Sequence, residues 1–390
     1  MKSFQIINGK IIAPSGICDN KVLLIENGLI GELADNIIPS YDILDAERAY
    51  VCPGFFDIHC HGAAGCDFME SNSDSFKIIN DYHLSHGTTS LLATTVAASD
   101  GSLLSFLAAF NDFKKTEYSN DILAGVHLEG PYLCKGQAGA QDPSYIKNPS
   151  ESDYIKILNS SKYIKIWTAA PELDGVKAFA KECVKRNVRL SAGHTGADFS
   201  QIGQALKENG FNQITHIYSG MNGIIRKNAR RIAGPVEAAL FFDDIFVEMI
   251  ADGVHLPPEL LNYVLKIKGP DKIALITDAT AAAGLPEGKA YIGGKDNGRE
   301  IIVDKDVAMM PCGTSFAGSI TTADKLVLNM IKYTTATLPE AVNMMTAVPA
   351  KMAGCDNVYG SLSKGKIANI LFIDDNVNIK KIILRGKIIK

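Results

Sequence analysis

Val51-Cys52-Pro53-Gly54-Phe55-Phe56-Asp57-Ile58-His59-Cys60-His61-Gly62 joins an apolar run to a pair of histidines. The apolar part, Val51 to Phe56, reads as a buried strand. Successive strand side chains point to opposite faces, so His59 and His61 project the same way, with Asp57 beside them and Cys60 on the other face. Two imidazoles side by side at a strand end suit a divalent transition metal. A His-x-His pair alone is a weak motif, so its meaning depends on what the rest of the chain brings to it.

Seven further strand-like runs follow the first, at residues 88–96, 122–129, 164–170, 188–194, 213–218, 246–255 and 272–279. Helix-like stretches at 74–86, 101–115, 174–187 and 200–209 lie between them, with Asp198 or Ser200 as an N-cap and Gly210 as a stop. Strand–helix alternation predicts parallel strands, and eight units predict a closed (β/α)8 TIM-type barrel. An open doubly wound sheet normally carries a glycine-rich phosphate fingerprint after its first strand, and none fits here. The flanks read as short β segments with turns, including Asn-Gly at 8–9 and 27–28 as expected hairpin turns. The expected division is a small β-sandwich domain built from residues 1–52 and 346–390, and a barrel over 53–345.

The chain has 390 residues and a formal net charge of −4, which offers no attraction to nucleic acid or an anionic membrane. No run reaches bilayer-spanning length. Asn8, Gly9 and Lys10 interrupt the apolar start, which argues against a signal peptide. Eight scattered cysteines without a Cys-x-x-Cys pair read as reduced, buried thiols, hence a cytoplasmic expectation.

Metal-binding residue types gather at one end of the runs. His59 and His61 close the first, Glu129 the third and His194 the fifth; His216 lies near the end of the sixth, His255 ends the seventh, and Asp278 is next to last in the eighth. In a barrel these ends share the C-terminal face, where active sites form. His83 and His86, three apart on a helix, read as structural. His127 points into the same face as Glu129, either orienting a ligand or simply packing. One assignment is binuclear, with His59, His61 and Asp278 on one ion, His194 and His216 on the other, and Glu129 bridging. The other is mononuclear, with Glu129, His194 and His216 on a single ion. Imidazole and carboxylate suit zinc or iron, with manganese or cobalt as further options.

The segments PGFFDIHCHG (53–62), HLEGPYL (127–133), SAGHTGA (191–197), THIYSGM (215–221), ADGVHLPPELL (251–261) and ITDATAAAG (276–284) resemble the N-acetylglucosamine-6-phosphate deacetylase family of the amidohydrolase superfamily. His-Leu-Glu-Gly-Pro is the specific part, because most amidohydrolases place a carboxylated lysine on strand four. Here Lys162 and Lys165 lie at the start of the fourth run, away from that end. The resemblance implies Glu129, His194 and His216 as metal ligands and Asp278 as the catalytic acid/base. His59 and His61 match members with a second ion, and His255 matches a substrate contact. It also implies an amino-sugar phosphate substrate and a homodimer with a neighbouring subunit near the phosphate.

The departures fall in the substrate region, where Ala140, Gln141, Ser219, Gly220, Ala317 and either or both of Arg226 and Arg231 are the expected contacts. Gln141 stands where the family usually has histidine, and Ser219-Gly220 replaces Asn-Ala. The Arg226–Arg231 cluster reads equally as a phosphate clamp or as a solvated face. Three functions therefore stand: deacetylation of N-acetylglucosamine 6-phosphate, a related amidohydrolase acting on N-acetylgalactosamine 6-phosphate or another amide, and a non-catalytic sugar-phosphate-binding protein.

Overall fold

The computed structural model describes residues 3–13 and 16–390; residues 1–2 and 14–15 of the expected amino-terminal flank lie outside them. All eight expected runs form strands, paired in chain order as one parallel sheet. They are β1 (Phe55–Cys60), β2 (Thr88–Thr94), β3 (Leu123–Glu129), β4 (Ile164–Ala169), β5 (Arg189–Ala192), β6 (Phe211–Ile214), β7 (Phe246–Met249) and β8 (Ile273–Leu275). The sheet closes where β1 meets the chain just past β8. There the Asp278 amide donates to the His59 carbonyl at 2.9 Å, and the His61 and Gly62 amides donate to Ala279 O at 2.8 and 3.0 Å. The result is the expected (β/α)8 barrel.

The helices form where their caps allow. They include α1 (Ser73–Ser85), α2 (Asp100–Phe113), α3 (Glu151–Ser160), α4 (Val176–Lys185) and α5 (Phe199–Asn209). Before α5, the Asp198 carboxylate accepts from the Gln201 amide while the Gln201 side chain accepts from the Asp198 amide, which selects Asp198 over Ser200 as the cap. Gly210 ends the helix at φ 76°, a left-handed conformation that glycine adopts without a Cβ clash.

The flanks build two sheets. One contains Phe4–Ile7, Val22–Glu26, Leu29–Ala34 and Asp42–Asp45; the other joins Lys10–Ala13, Gly16–Cys18 and Tyr50–Pro53 to the carboxy-terminal strands from Ile370 onward. Ile6, Leu23 and Ile25 of the first pack with Val51, Ile370 and Phe372 of the second. Asn27-Gly28 does turn a hairpin, with Glu26 opposite Leu29. Asn8-Gly9 does not, because the strands on either side belong to different sheets. Gly9 instead permits close approach: a Cβ there would lie 2.5 Å from Val51 Cγ2.

The carboxy-terminal flank reaches the barrel before it reaches the sheets. The helix Ala347–Met352 packs Val348, Ala350 and Met352 against Phe56, Ile58, Phe246 and Ala274. Gln213 also donates to Met352 O at 2.7 Å, closing the barrel interior on the side where the strands begin. A three-stranded antiparallel sheet, Gly288–Ile292, Arg299–Asp304 and Val307–Met309, follows β8 and was not foreseen. Ile292, Ile301 and Val303 of this sheet cluster with Ala282 and Ala317, with Ala140 packed against them. Among the described residues no helix is long and apolar enough to cross a membrane.

His83 of α1 is fully buried, with Nε2 3.2 Å from Gly62 O and 3.1 Å from Cys60 Sγ. Burial pushes its pKa down from 6.5 to about 4. The unfolded chain therefore takes up this proton first as the pH falls. The stability gained by keeping His83 neutral is complete above pH 6.5 and is lost as the pH drops from there toward 4. Between pH 7 and pH 5 this group should cost about 2 kcal/mol of stability. Urea unfolding at both pH values should show that loss in the native sequence and not in His83→Gln; equal losses would remove the assignment.

Candidate metal centre

Glu129 ends β3 inside the barrel, and its carboxylate collects imidazoles from three other strand ends. His194 lies two residues past β5, His216 two past β6, and His59 within β1. Their Nε2 atoms stand 3.1, 2.9 and 3.6 Å from Glu129 Oε1. His61 Nε2 stands 3.5 Å from Glu129 Oε2 and 3.2 Å from Asp278 Oδ1, and His59 Nε2 is 3.5 Å from the same Asp278 oxygen. All six side chains are nearly or fully buried.

The outward bonds of the rings decide what faces inward. His194 Nδ1 lies 2.8 Å from Gln137 O and His216 Nδ1 3.2 Å from Ser219 O. Carbonyls only accept, so these nitrogens carry the ring protons. His59 Nδ1 lies 2.9 Å from Glu248 Oε2, which assigns its proton in the same way. Three Nε2 lone pairs therefore converge on two carboxylates, and among the described residues His59 Nε2 has no partner within hydrogen-bond distance. Such a crowd of acceptors needs positive charge among its members.

The acid–base balance says the same. Burial works against a charged His59, yet Asp278, Glu129 and Glu248 outweigh it and hold its pKa well above the ordinary value. Burial works against His194 too, and Glu129 raises it. Burial opposes ionisation of Glu129, but His59 and His194 hold its carboxyl well below the usual range. Asp278 is brought down to about 2, against burial, by His59, His61 and His216. Protons or a divalent cation can supply the missing charge, and the donor set of imidazole and carboxylate fits the cation. His59, His216 and Asp278 form one group of atoms close enough to hold an ion; Glu129, His194 and His216 form another, and His59, His61 and Glu129 a third.

Backbone geometry aims these groups. His194, His216 and Asp278 have φ of 46°, 28° and 48°, uncommon for residues with a Cβ. The chain turns sharply as it leaves each strand, which directs the side chain toward the barrel axis. Gly318 passes directly behind Asp278, where a Cβ would lie 2.5 Å from the Asp278 carbonyl oxygen.

Asp57 does not join His59 and His61. Its carboxylate takes the Thr277 hydroxyl at 2.5 Å, and it groups with Cys60 and His83. The reason is an irregularity in β1, where Asp57 pairs with Leu91 and Cys60 with Ala93, so an extra residue breaks the alternation between them. His127 bonds the Ile58 carbonyl and the Thr168 hydroxyl, and its ring packs edge-on against His59 at 4.6 Å. Glu248 was missed by the sequence reading. It projects from β7, fully buried, and accepts from His59 Nδ1 and from the His216 amide at 3.3 Å. A lone acid inside the apolar run Phe246–Ile250 was the available signal.

A cavity of about 260 Å³ opens over the cluster, on the scale of a small ligand. Ala140, Gln141, Ser219, Gly220 and His255 line it, as do Tyr218, Ile292, Ser315 and Phe316, which the sequence did not reveal. His255 is held by Asp252 at 2.7 Å and stacks on Phe316 with ring centres 4.4 Å apart. Three of the expected contacts are not among the residues that line this cavity. Ala317 is fully buried in the cluster beneath the inserted sheet. Arg226 and Arg231 sit on an exposed hairpin, Ile225–Lys227 paired with Arg230–Ile232, and among the described residues no Lys or Arg lines the cavity.

A closed eight-stranded barrel with carboxylate and imidazole groups gathered at the strand ends defines a metal-hydrolase class of site, and the amidohydrolase family pattern matches residues 50–389. A Lysinibacillus sphaericus N-acetylglucosamine-6-phosphate deacetylase is 33% identical, the match covering 99% of this chain and 97% of that protein. An Escherichia coli O157:H7 N-acetylgalactosamine-6-phosphate deacetylase is 30% identical over 97% of each. The Mycobacterium smegmatis N-acetyl-D-glucosamine-6-phosphate deacetylase, solved as a mutant in complex with N-acetyl-D-glucosamine-6-phosphate, superposes with a TM-score of 0.90. It is 26% identical, and the match covers 100% of this chain and 99% of that one. This chain belongs to the amidohydrolase family, in the group of the N-acetylglucosamine-6-phosphate deacetylases.

Removing the charge behind His59 should weaken metal binding. Glu248→Gln should raise the zinc dissociation constant about 10- to 100-fold in a chelator competition, with an unchanged circular dichroism spectrum. Unchanged affinity would show that Glu248 does not orient His59 for an ion.

Proposed function

We propose that this protein removes the acetyl group from N-acetylglucosamine 6-phosphate, giving glucosamine 6-phosphate and acetate. The observation that carries the proposal is Asp278: an ionised carboxylate on the cavity wall, 3.2 Å from His61 and beside the Glu129 cluster. Glu129, His194 and His216 would hold one divalent ion, and His59, His61 and Asp278, with Glu129 shared, a second. Zinc or iron suits these donors best, and manganese or cobalt is compatible with them. When bound, such an ion supplies Lewis acidity toward the acetamide carbonyl and acidifies a solvent molecule.

The chain's own residues do the rest. Asp278 accepts a proton from the attacking water and returns it to the departing amine, so the acid and base steps balance on one carboxyl group. Its low pKa keeps it unprotonated at neutral pH. His255 has its Nδ1 proton committed to Asp252, which leaves Nε2 to accept from a sugar hydroxyl. Ser219, Gly220 and Ala140 wall the cavity around the ring.

Phosphate needs a cation, and among the described residues no Lys or Arg lines the cavity of one chain. A homodimer supplies one if the exposed hairpin of a second copy brings Arg226 or Arg231 to the cavity. Exposed Ile224, Ile225 and Phe241, at 63%, 41% and 68% of full accessibility, offer apolar surface for that contact. A second reading, N-acetylgalactosamine 6-phosphate as substrate, is favoured by the Escherichia coli relative.

Acetate release by metal-loaded protein from the two phosphorylated sugars and from unphosphorylated N-acetylglucosamine tests these readings together. The glucosamine phosphate should turn over fastest, and Asp278→Asn should cut kcat about 10²- to 10⁴-fold. Arg226→Ala or Arg231→Ala should raise KM for the phosphorylated sugars alone. No release from either phosphate, or full activity in Asp278→Asn, would overturn the proposal.

A further inference from the structure

Gln141 was expected to touch substrate, yet its side-chain amide is engaged on the protein at both ends. Its oxygen accepts from the Ala97 amide at 2.6 Å, and its nitrogen donates to Glu129 Oε2. The loop that carries it is fastened in turn, because the Arg299 guanidinium donates to Ala140 O and Gln141 O at 3.0 and 2.9 Å. Gln141 is 4% exposed, so this contact is a built part of the site rather than a surface encounter.

The two oxygens of Glu129 therefore have different company. Oε1 faces His59, His194 and His216, all through lone-pair nitrogens. Oε2 faces His61 and the Gln141 N–H. An amide N–H carries partial positive charge and occupies a carboxylate lone pair, so it competes with a cation for the same oxygen.

We propose that Gln141 stands in for a second cation and makes the two ion sites unequal. The Oε1 side, with His194 and His216, takes the tight ion; the side of His59, His61 and Asp278 takes a second ion weakly, at an affinity that Gln141 sets. Gln141 is thus a positioning residue that sets the ion count. The inference rests on the metal-hydrolase reading above but not on the choice of sugar.

The test is zinc binding to the full-length protein, followed by elemental analysis after dialysis and by calorimetric titration of the apoprotein. The native chain should retain one ion per chain and bind a second at least about tenfold more weakly. Gln141→Leu, which removes the N–H and keeps the volume, should tighten the second step about tenfold and leave the first unchanged. Gln141→Glu, which puts an acceptor where the donor was, should retain two ions through dialysis. Equal tight steps in the native chain, or an unchanged second step in both variants, would overturn the proposal. Absence of any zinc binding would instead remove the metal-hydrolase reading. Failure of acetate release with the predicted ion counts would remove only the sugar substrate.

Discussion

The hydrogen bond from the Asp278 amide to the His59 carbonyl holds the rest together. It belongs to the seam that closes the barrel, where the first strand meets the chain leaving the eighth. It also sets the two most widely separated groups of the site side by side, so closing the barrel and assembling the site are one event. The seam is reinforced from both sides. Thr277 gives its hydroxyl to Asp57, and the Ser319 amide donates to the Asp278 carbonyl at 2.8 Å. Asp278 holds a left-handed backbone in consequence, a conformation worth roughly 1–3 kcal/mol that only so many surrounding bonds sustain.

Around that seam the site is organised by charge. Glu129, Asp278 and Glu248 are buried carboxylates, and His59 touches all three. Buried carboxylates this close are tolerable only with positive charge between them. The protein prepares for this by turning ring protons outward, onto Glu248, Gln137 and Ser219, so that the inward nitrogens stay available. Gln141 adds a neutral amide donor that reaches inward.

The eight strands were legible because each is a short apolar run bounded by helical periodicity, and both signals are local. Glu129, His194, His216 and Asp278 could be linked from sequence because a parallel barrel puts every strand's C-terminal end on one face. Asp57 was misplaced because an irregularity in β1 shifts the alternation, and bulges leave no mark in composition. The Asn8-Gly9 turn was misread because Asn-Gly marks a left-handed bend, which serves a crossover between sheets as well as a hairpin. The inserted sheet after β8 went unseen because Gly288–Met309 mixes charge and turns with only brief apolar alternation.

The sequence by itself determined the barrel, its strand order and the residues gathered at its mouth, because period and chain order carry that information. Tertiary structure alone decided which groups touch. It placed Glu248 behind His59, tied Gln141 to Glu129 and set Arg226 and Arg231 on an exposed hairpin. These are contacts between distant segments, set by where loops pack and which way ring protons point, and no local pattern encodes them.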